Sequence, residues 1–269
     1  MPDLRAYCAA PPPAPAELIL SPDESHHLVS VNRARRGDTV IAFDGTGREW
    51  TTELVGDRKQ GAVLRVRESH IRSRPAFDIT LAQAMPKGPA MDAIVRKATE
   101  IGVTRIIPLE TERTQVHLEA ERSEKKLEKW RTAALEAAKQ CGNPFLPEIR
   151  PLTALDTVLA EGHAYPLRLM ASLEPGAKSL KTILGSRGPE DQRTGGPEGQ
   201  RASEPRGHSL ALRPSAIWLV GPEGDFSPAE WERAKAAGFQ PVTLGPLVLR
   251  CETAAIYALS VLSYELGSW

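Results

Sequence analysis

The chain has 269 residues and sets 34 Lys+Arg against 34 Asp+Glu, with 41% hydrophobic and 25% charged residues. That length buries a core without disulfide or metal staples, in one large domain or two modest ones, and the composition is that of an ordinary globular protein. Neutrality excludes a protein that coats nucleic acid through global positive charge, so any nucleic-acid partner must be argued from local clusters.

Cys8, Cys141 and Cys251 are odd in number and far apart, which fits a reducing compartment and offers neither a zinc site nor a disulfide framework. His26-His27 is an adjacent pair without metal-ligand spacing, so no metal is expected. No apolar run reaches the ~18 residues of a membrane span. The first twenty residues are broken by prolines and lack a basic stretch followed by a continuous apolar one, so no signal peptide and a cytoplasmic location are expected.

Residues 1–72 read as a small β-rich module. Strands are predicted over 39–43, 49–55 and 61–68, the first two joined by the hairpin turn Asp44-Gly45-Thr46-Gly47. In the third, Ala62, Leu64 and Val66 alternate with Val63, Arg65 and Arg67. Arginines gather here, at Arg33, Arg35, Arg36, Arg65, Arg67, Arg72 and Arg74, and read either as a solvated face or as a phosphate-binding one. Ser73-Arg74-Pro75 is the expected linker.

From residue 77 strands alternate with helices, the signature of an α/β domain with a largely parallel sheet. Strands are predicted at 77–84, 104–109, 167–173, 216–220 and 241–244. A helix over Lys87–Gly102 carries the apolar stripe Met91, Ile94, Val95, Ala98 and Ile101, and a second over 121–140 points Leu127, Trp130, Ala134 and Ala137 inward. Residues 185–214 carry almost no large apolar side chain and are read as a flexible insertion in a domain running over 78–269.

The chemistry concentrates in the last third. Residues 216–237 place a strand, a glycine-rich loop (Gly221-Pro222-Glu223-Gly224) and a helix start whose Ser227-Pro228-Ala229-Glu230 has the form of a capping box. The loop therefore lies where a strand exit meets a helix N-terminus, the ligand crevice of open α/β sheets. Gly-Pro-Glu-Gly recurs at 196–199 without strand or helix beside it, so context carries the signal. A second loop, Leu244 to Ala254, leads into a closing helix with Ile256, Leu259, Leu262 and Leu266 on its apolar side. Arg250, Glu252 and Thr253 at its entrance read either as a helix cap with a surface ion pair or as ligand contacts. A P-loop, a dinucleotide-binding GxGxxG and a GxSxG elbow are all missing.

Four ordered blocks, LAQAMPKGPAMDAIVRKATEIGVTRIIPLETERT, KKLEKWRTAALEAAKQCGN, LVGPEGDFSPAEW and LGPLVLRCETAAIYAL, resemble the bacterial 16S rRNA (uracil-N3)-methyltransferase family of the SPOUT class. The resemblance spans nearly the whole chain and implies a PUA-like RNA-binding β-barrel over 1–72. It also implies a C-terminal deep trefoil knot, which general rules of chain topology would not have predicted. By this likeness S-adenosylmethionine lies against Leu173 and Glu174, then Leu219, Val220, Gly221, Pro222, Glu223 and Gly224, then Leu244, Gly245, Leu249, Arg250, Glu252, Thr253 and Ala254. Asp225 and Cys251 depart from the commoner family pattern, where a second glycine and a small or β-branched residue such as threonine are usual.

The implied reaction is in-line transfer of the donor methyl to N3 of a uridine splayed out of its pairing. Arg250 is expected to stabilise the uracil anion. The proton acceptor is left open among Glu223, Glu252, Asp225 and a water. RNA contacts are expected from Arg33, Arg35, Arg36, Arg65, Arg67 and Arg72, with Arg113 near the knot. The partners implied are 16S rRNA in the small ribosomal subunit and a second copy of the chain, joined through the last helix, whose alternative role is ordinary core packing. The competing readings are another SPOUT activity with a tRNA target, and a catalytically silent RNA-binding assembly factor. Residues 1–74 carry 11 basic and 10 acidic groups, whereas 216–269 carry 3 basic and 6 acidic, so the acidic excess falls in the segment assigned to a cationic donor.

Overall fold

The computed structural model describes residues 4–9, 11–58, 61–114, 120–185 and 215–267. All but Gly185 of the insertion expected over 185–214 lies outside these residues.

The amino-terminal part contains β1 (Leu4–Tyr7), β2 (Glu17–Ile19), α1 (Pro22–His26) with a wide turn over His27–Val31, β3 (Thr39–Phe43), β4 (Arg48–Arg58) and β5 (Gly61–Ile71). They form one sheet in the order β1-β3-β4-β5-β2, parallel only between β1 and β3. The β3–β4 turn is the expected one: Asp44 Oδ1 accepts the Thr46 N–H at 2.7 Å, and Gly45 and Gly47 both adopt positive φ. Leu18, Leu28, Val40, Trp50 and Leu64 fill the core between the sheet and α1. Val63, on the same side of the alternation as Arg65 and Arg67, is buried too. Among the described residues β1 and β2 do not pair. Between them Glu24 takes the place of a ladder partner, its Oε2 accepting the Tyr7 N–H at 2.9 Å.

The second sheet is built from β6 (Asp78–Ala84), α2 (Ala90–Ile101), β7 (Arg105–Glu110), α3 (Ala120–Cys141), β8 (Glu148–Ile149), β9 (Thr153–Ala154), α4 (Leu155–Glu161), β10 (Leu167–Ala171), β11 (Lys178–Ser179), α5 (Leu180–Gly185), β12 (Ser215–Val220), α6 (Pro228–Ala236), β13 (Gln240–Thr243) and α7 (Cys251–Leu266). Its order is β11-β13-β10-β12-β6-β7-β8, with β9 beside β7, and every ladder is parallel. Such strands are covered on both faces and read as continuous apolar runs, as β12 does. Trp218 faces a core shared with α2, α3 and α7, and Leu219 faces the opposite core under α4 and α6. The expected stripes of α2 and α3 point inward, with Ile101 only partly covered. Helix α2 starts three residues later than predicted because Gly88, at φ +64°, and Pro89 hold the entry out of helical geometry. It ends at Gly102 in a left-handed cap, as expected.

The two sheets meet at one junction. The Gly47 N–H donates to Pro144 O at 3.1 Å and the Leu146 N–H to Gly45 O at 2.9 Å, with Thr46 bridging Phe145. A side chain at Gly47 would put its Cβ within 2.4 Å of the Phe145 ring. Nearby, Lys139 Nζ on α3 donates to Glu24 Oε1 at 2.7 Å, with both side chains largely buried.

Candidate functional site

Strands β13, β10 and β12 are neighbours, so the loops leaving their carboxyl ends converge. They enclose a cavity of about 270 Å³, near the lower end of the usual range for small-molecule sites.

The loop after β12 is held from three sides. A tight turn closes it, with the Asp225 N–H donating to Pro222 O at 2.9 Å, and Asp225 itself adopts φ +59°. That left-handed conformation favours glycine and is tolerated by Asp and Asn. Asp225 Oδ1 accepts the Phe226 N–H at 2.8 Å, and a Cβ on Gly221 would stand 3.0 Å from that oxygen, so glycine at 221 makes room for the carboxylate. The Lys87 N–H, from the β6–α2 connection, donates to Glu223 Oε1 at 2.7 Å. From the β7–α3 connection, Arg113 Nη1 donates to Gly224 O at 2.6 Å and Phe226 O at 3.3 Å.

The predicted capping box is present, Ser227 Oγ accepting the Glu230 N–H and Glu230 Oε2 the Ser227 N–H. Glu230 is only 1% exposed, and its Oε1 accepts the Glu112 N–H at 2.7 Å. One carboxylate thus ties the start of α6 to the end of β7.

The loop after β13 is stiffened by Thr243 Oγ1, which donates to Gly245 O at 3.1 Å. Gly245 adopts φ +125°, and a Cβ there would meet no protein atom within 4 Å. Leu247 and Val248 then form an exposed apolar rim. Arg250 caps α7 in extended geometry without a side-chain capping bond, is exposed, and has no carboxylate partner among the described residues. Of the reading of Arg250 as a helix cap with a surface ion pair, the N-cap position is met and the ion pair is not, among the described residues. Cys251, buried behind it, donates to Glu252 Oε2 at 3.3 Å; burial and that carboxylate push the thiol up to about 12, so it is inert at neutral pH. The third wall follows β10, where the Ser172 N–H donates to Val242 O at 2.9 Å and Leu173 lines the cavity.

Of the residues singled out for donor contact, Leu173, Val220, Gly221, Pro222 and Glu223 line the cavity, as do Leu244, Gly245, Leu249, Arg250 and Ala254. Glu174, Leu219, Gly224, Glu252 and Thr253 do not. Leu219 points into the core beneath α4 and α6, and the backbone of Gly224 holds Arg113. Sequence reasoning left Asp225, Val242, Leu247, Val248 and Cys251 out of the donor site. Val242 is signalled by the alternation of β13 and Leu247 and Val248 by the length of the second loop, while Asp225 and Cys251 are already marked by their departure from the family pattern.

The lining suits a ligand with a flat apolar part and a positive charge. Its walls are mostly apolar, Gly245 leaves room for close approach, and its charged side chains are Glu223 and Asp225 against Arg250. Burial raises the Asp225 carboxyl above its ordinary pKa and Glu174 adds to this; the Phe226 amide and Arg113 offset part of it. Among the described residues no group of three or more His, Cys, Asp or Glu side chains could hold a metal ion, and no helix is long and apolar enough to cross a membrane.

The amino-terminal arginines divide in two. Arg67 pairs with Glu53, and Arg65 lies 4.0 Å from Glu17. Arg72 Nε donates at 2.7 Å, and Arg5 Nη2 at 2.6 Å, to the buried carboxylate of Glu49. Burial alone would raise the pKa of Glu49, yet these two arginines hold it below the ordinary value. Arg33, Arg35 and Arg36 are exposed on the loop before β3 and form no ion pair among the described residues, although Arg67, helped by Arg65 and Arg36, holds Glu53 below its ordinary pKa; Arg33 adopts φ +57°.

A family model described as an RNA methyltransferase domain matches residues 73–263, and one described as an RNA methyltransferase PUA domain matches residues 20–67. Ribosomal RNA small subunit methyltransferase E of Bacillus subtilis is 30% identical over 247 residues, covering 90% of this chain and 88% of that one. The Aquifex aeolicus protein of the same name is 31% identical, covering 91% and 93%. A methyltransferase of Legionella pneumophila, solved in complex with SAM, superposes with a TM-score of 0.82 at 30% identity over 99% of both chains. Ribosomal RNA small subunit methyltransferase E of Neisseria gonorrhoeae, bound to S-adenosyl methionine, gives 0.78 at 26% identity over 98% of both.

Proposed function

Since the chain belongs to the ribosomal RNA small subunit methyltransferase E family, we propose that it methylates N3 of one uridine in 16S rRNA, with S-adenosylmethionine as donor. The observation that carries this reading is the cavity at three adjoining strand exits, with an unpaired arginine at its mouth. The bound donor supplies an electrophilic methyl group on a sulfonium. Val220, Leu244, Leu249 and Ala254 offer the apolar bed for its flat part, and the backbone at Gly221 and Gly245 allows close approach.

Loss of the N3 proton places negative charge on the uracil, and Arg250, at the cavity mouth, would be the fixed cation that stabilises that charge. Of the three carboxylates considered as proton acceptor, Glu223 is favoured over Asp225, whose Oδ1 is taken by the Phe226 amide, and over Glu252. It lines the cavity and is oriented by the Lys87 amide, whereas Glu252 turns to Cys251. The knot belongs to the same reading, supported by a path that runs from β11 at the sheet edge to β12 and back to β13 between β11 and β10.

The domains are assigned to 1–72 and 78–269. Arg33, Arg35 and Arg36 would make the main phosphate contacts, with Arg65, Arg67 and Arg72 behind their carboxylate partners. Arg113 would serve RNA chiefly by holding the Gly224 loop. The inner face of α7 is core, while its outer face presents Tyr257 and Tyr264, where a second copy would dock to give a homodimer. The reaction is placed in the cytoplasm.

The test is incubation of the protein with small subunits from a strain lacking the modification, using labelled donor and mapping the product. N3-methyluridine at one position is the expected result. Label in tRNA or on a ribose would move the activity to another SPOUT class, and absence of donor binding would leave an RNA-binding assembly factor.

A further inference from the structure

The cavity wall contains a second acidic side chain, Asp225, which is free for another role once Glu223 is taken as the proton acceptor. Asp225 sits at the apex of the loop after β12, partly buried, with its carboxylate packed over Gly221 and, among the described residues, only Oδ1 engaged by a backbone amide. The other acidic lining residue, Glu223, is exposed to solvent. A partly buried charge is screened far less than an exposed one. The donor and its demethylated product have nearly the same shape, but the donor carries one more positive charge, on its sulfur.

Building on the donor assignment above, we infer that Asp225 is the residue by which this site tells the cationic sulfonium donor from its neutral thioether product. Attraction between the carboxylate and the sulfonium favours the donor alone, so spent product is released more readily. The charged and titratable groups around Asp225 are Arg113, Glu174, Glu223, Arg250 and Cys251. None of them is altered in the comparison below. A carboxyl held up by burial is drawn down when a cation arrives beside it. Donor binding should therefore release a proton on the acid side of neutrality, and product binding should not.

The experiment is calorimetric titration of the wild type, Asp225→Asn and Asp225→Gly with S-adenosylmethionine and with S-adenosylhomocysteine, across pH and in two buffers of different ionisation heat. Asn keeps the left-handed turn and an acceptor for the Phe226 amide while removing the charge, and Gly suits φ +59°. Donor affinity should fall about tenfold in both variants, the equivalent of roughly 1.4 kcal/mol, with product affinity within twofold of wild type. The acid-side loss of donor affinity, with its proton release, should shrink in the Asn variant. Equal weakening for both ligands, or an unchanged donor-to-product ratio, overturns the inference while the donor assignment stands. A wild type that binds neither ligand overturns both.

Discussion

On strands β2 and β4 of the amino-terminal sheet three carboxylates serve as partners for arginine: Glu49 for Arg5 and Arg72, Glu53 for Arg67, Glu17 for Arg65. Around the cavity they lean on backbone amides instead, Glu223 on Lys87, Asp225 on Phe226, and Glu230 on Ser227 and Glu112. An arginine-bound carboxylate is neutralised as it is fixed in place. An amide-bound one keeps its full charge. The first arrangement leaves Arg33, Arg35 and Arg36 among the arginines that form no ion pair within the described residues, and the second builds a cavity whose charged lining is Glu223 and Asp225 against Arg250. The charges available to ligands are the ones left without an opposite charge, and they differ in sign between the two regions.

This contrast can be broken most sharply at Arg250. Arg250→Ala should lower single-turnover methylation of small subunits by about 10²–10³-fold while leaving donor affinity nearly intact, because the guanidinium acts on developing charge. Undiminished turnover would remove it from the reaction. Glu230→Ala should cost about 2 kcal/mol or more in denaturant unfolding, since it leaves two backbone amides without a partner and dissolves the capping box. Replacing Arg33, Arg35 and Arg36 together by Ala should reduce the dependence of RNA affinity on salt by roughly 2–3 in log–log slope, read from binding isotherms at several salt concentrations. The smallest effect sharpens the comparison. Arg67→Ala should change RNA affinity by no more than about twofold, because Glu53 already satisfies the guanidinium. A loss matching the triple variant would erase the distinction between paired and free arginines.

Much of this was legible in local sequence, because local rules govern it. The turn at Asp44–Gly47, the stripes of α2 and α3 and the capping box at Ser227 each depend on residues a few positions apart. The two loops of the cavity were legible for the same reason, as glycine-rich segments between a strand and a helix. The bonds that orient the site were not. Glu223 meets Lys87 136 positions away, Glu230 meets Glu112 across 118, and Lys139 meets Glu24 across 115. Periodicity does not encode such pairs. The start of α2 was misplaced for a local reason, since Gly88 and Pro89 outweighed the apolar stripe around them. The position of Asp225 shows how a departure from the pattern expected by resemblance becomes intelligible: a left-handed backbone suits the expected glycine, and aspartate is among the few other residues that accept it.

The ring of Phe145 pressed onto Gly47, flanked by two amide bonds and by the Glu24–Lys139 pair, joins the arginine loop and the cavity into one frame. That frame acts as a caliper. On the proposed reading, an RNA held by its phosphates at one jaw would present to the other only the nucleotide lying at the set span, so selection of the target would begin with length before any base is read.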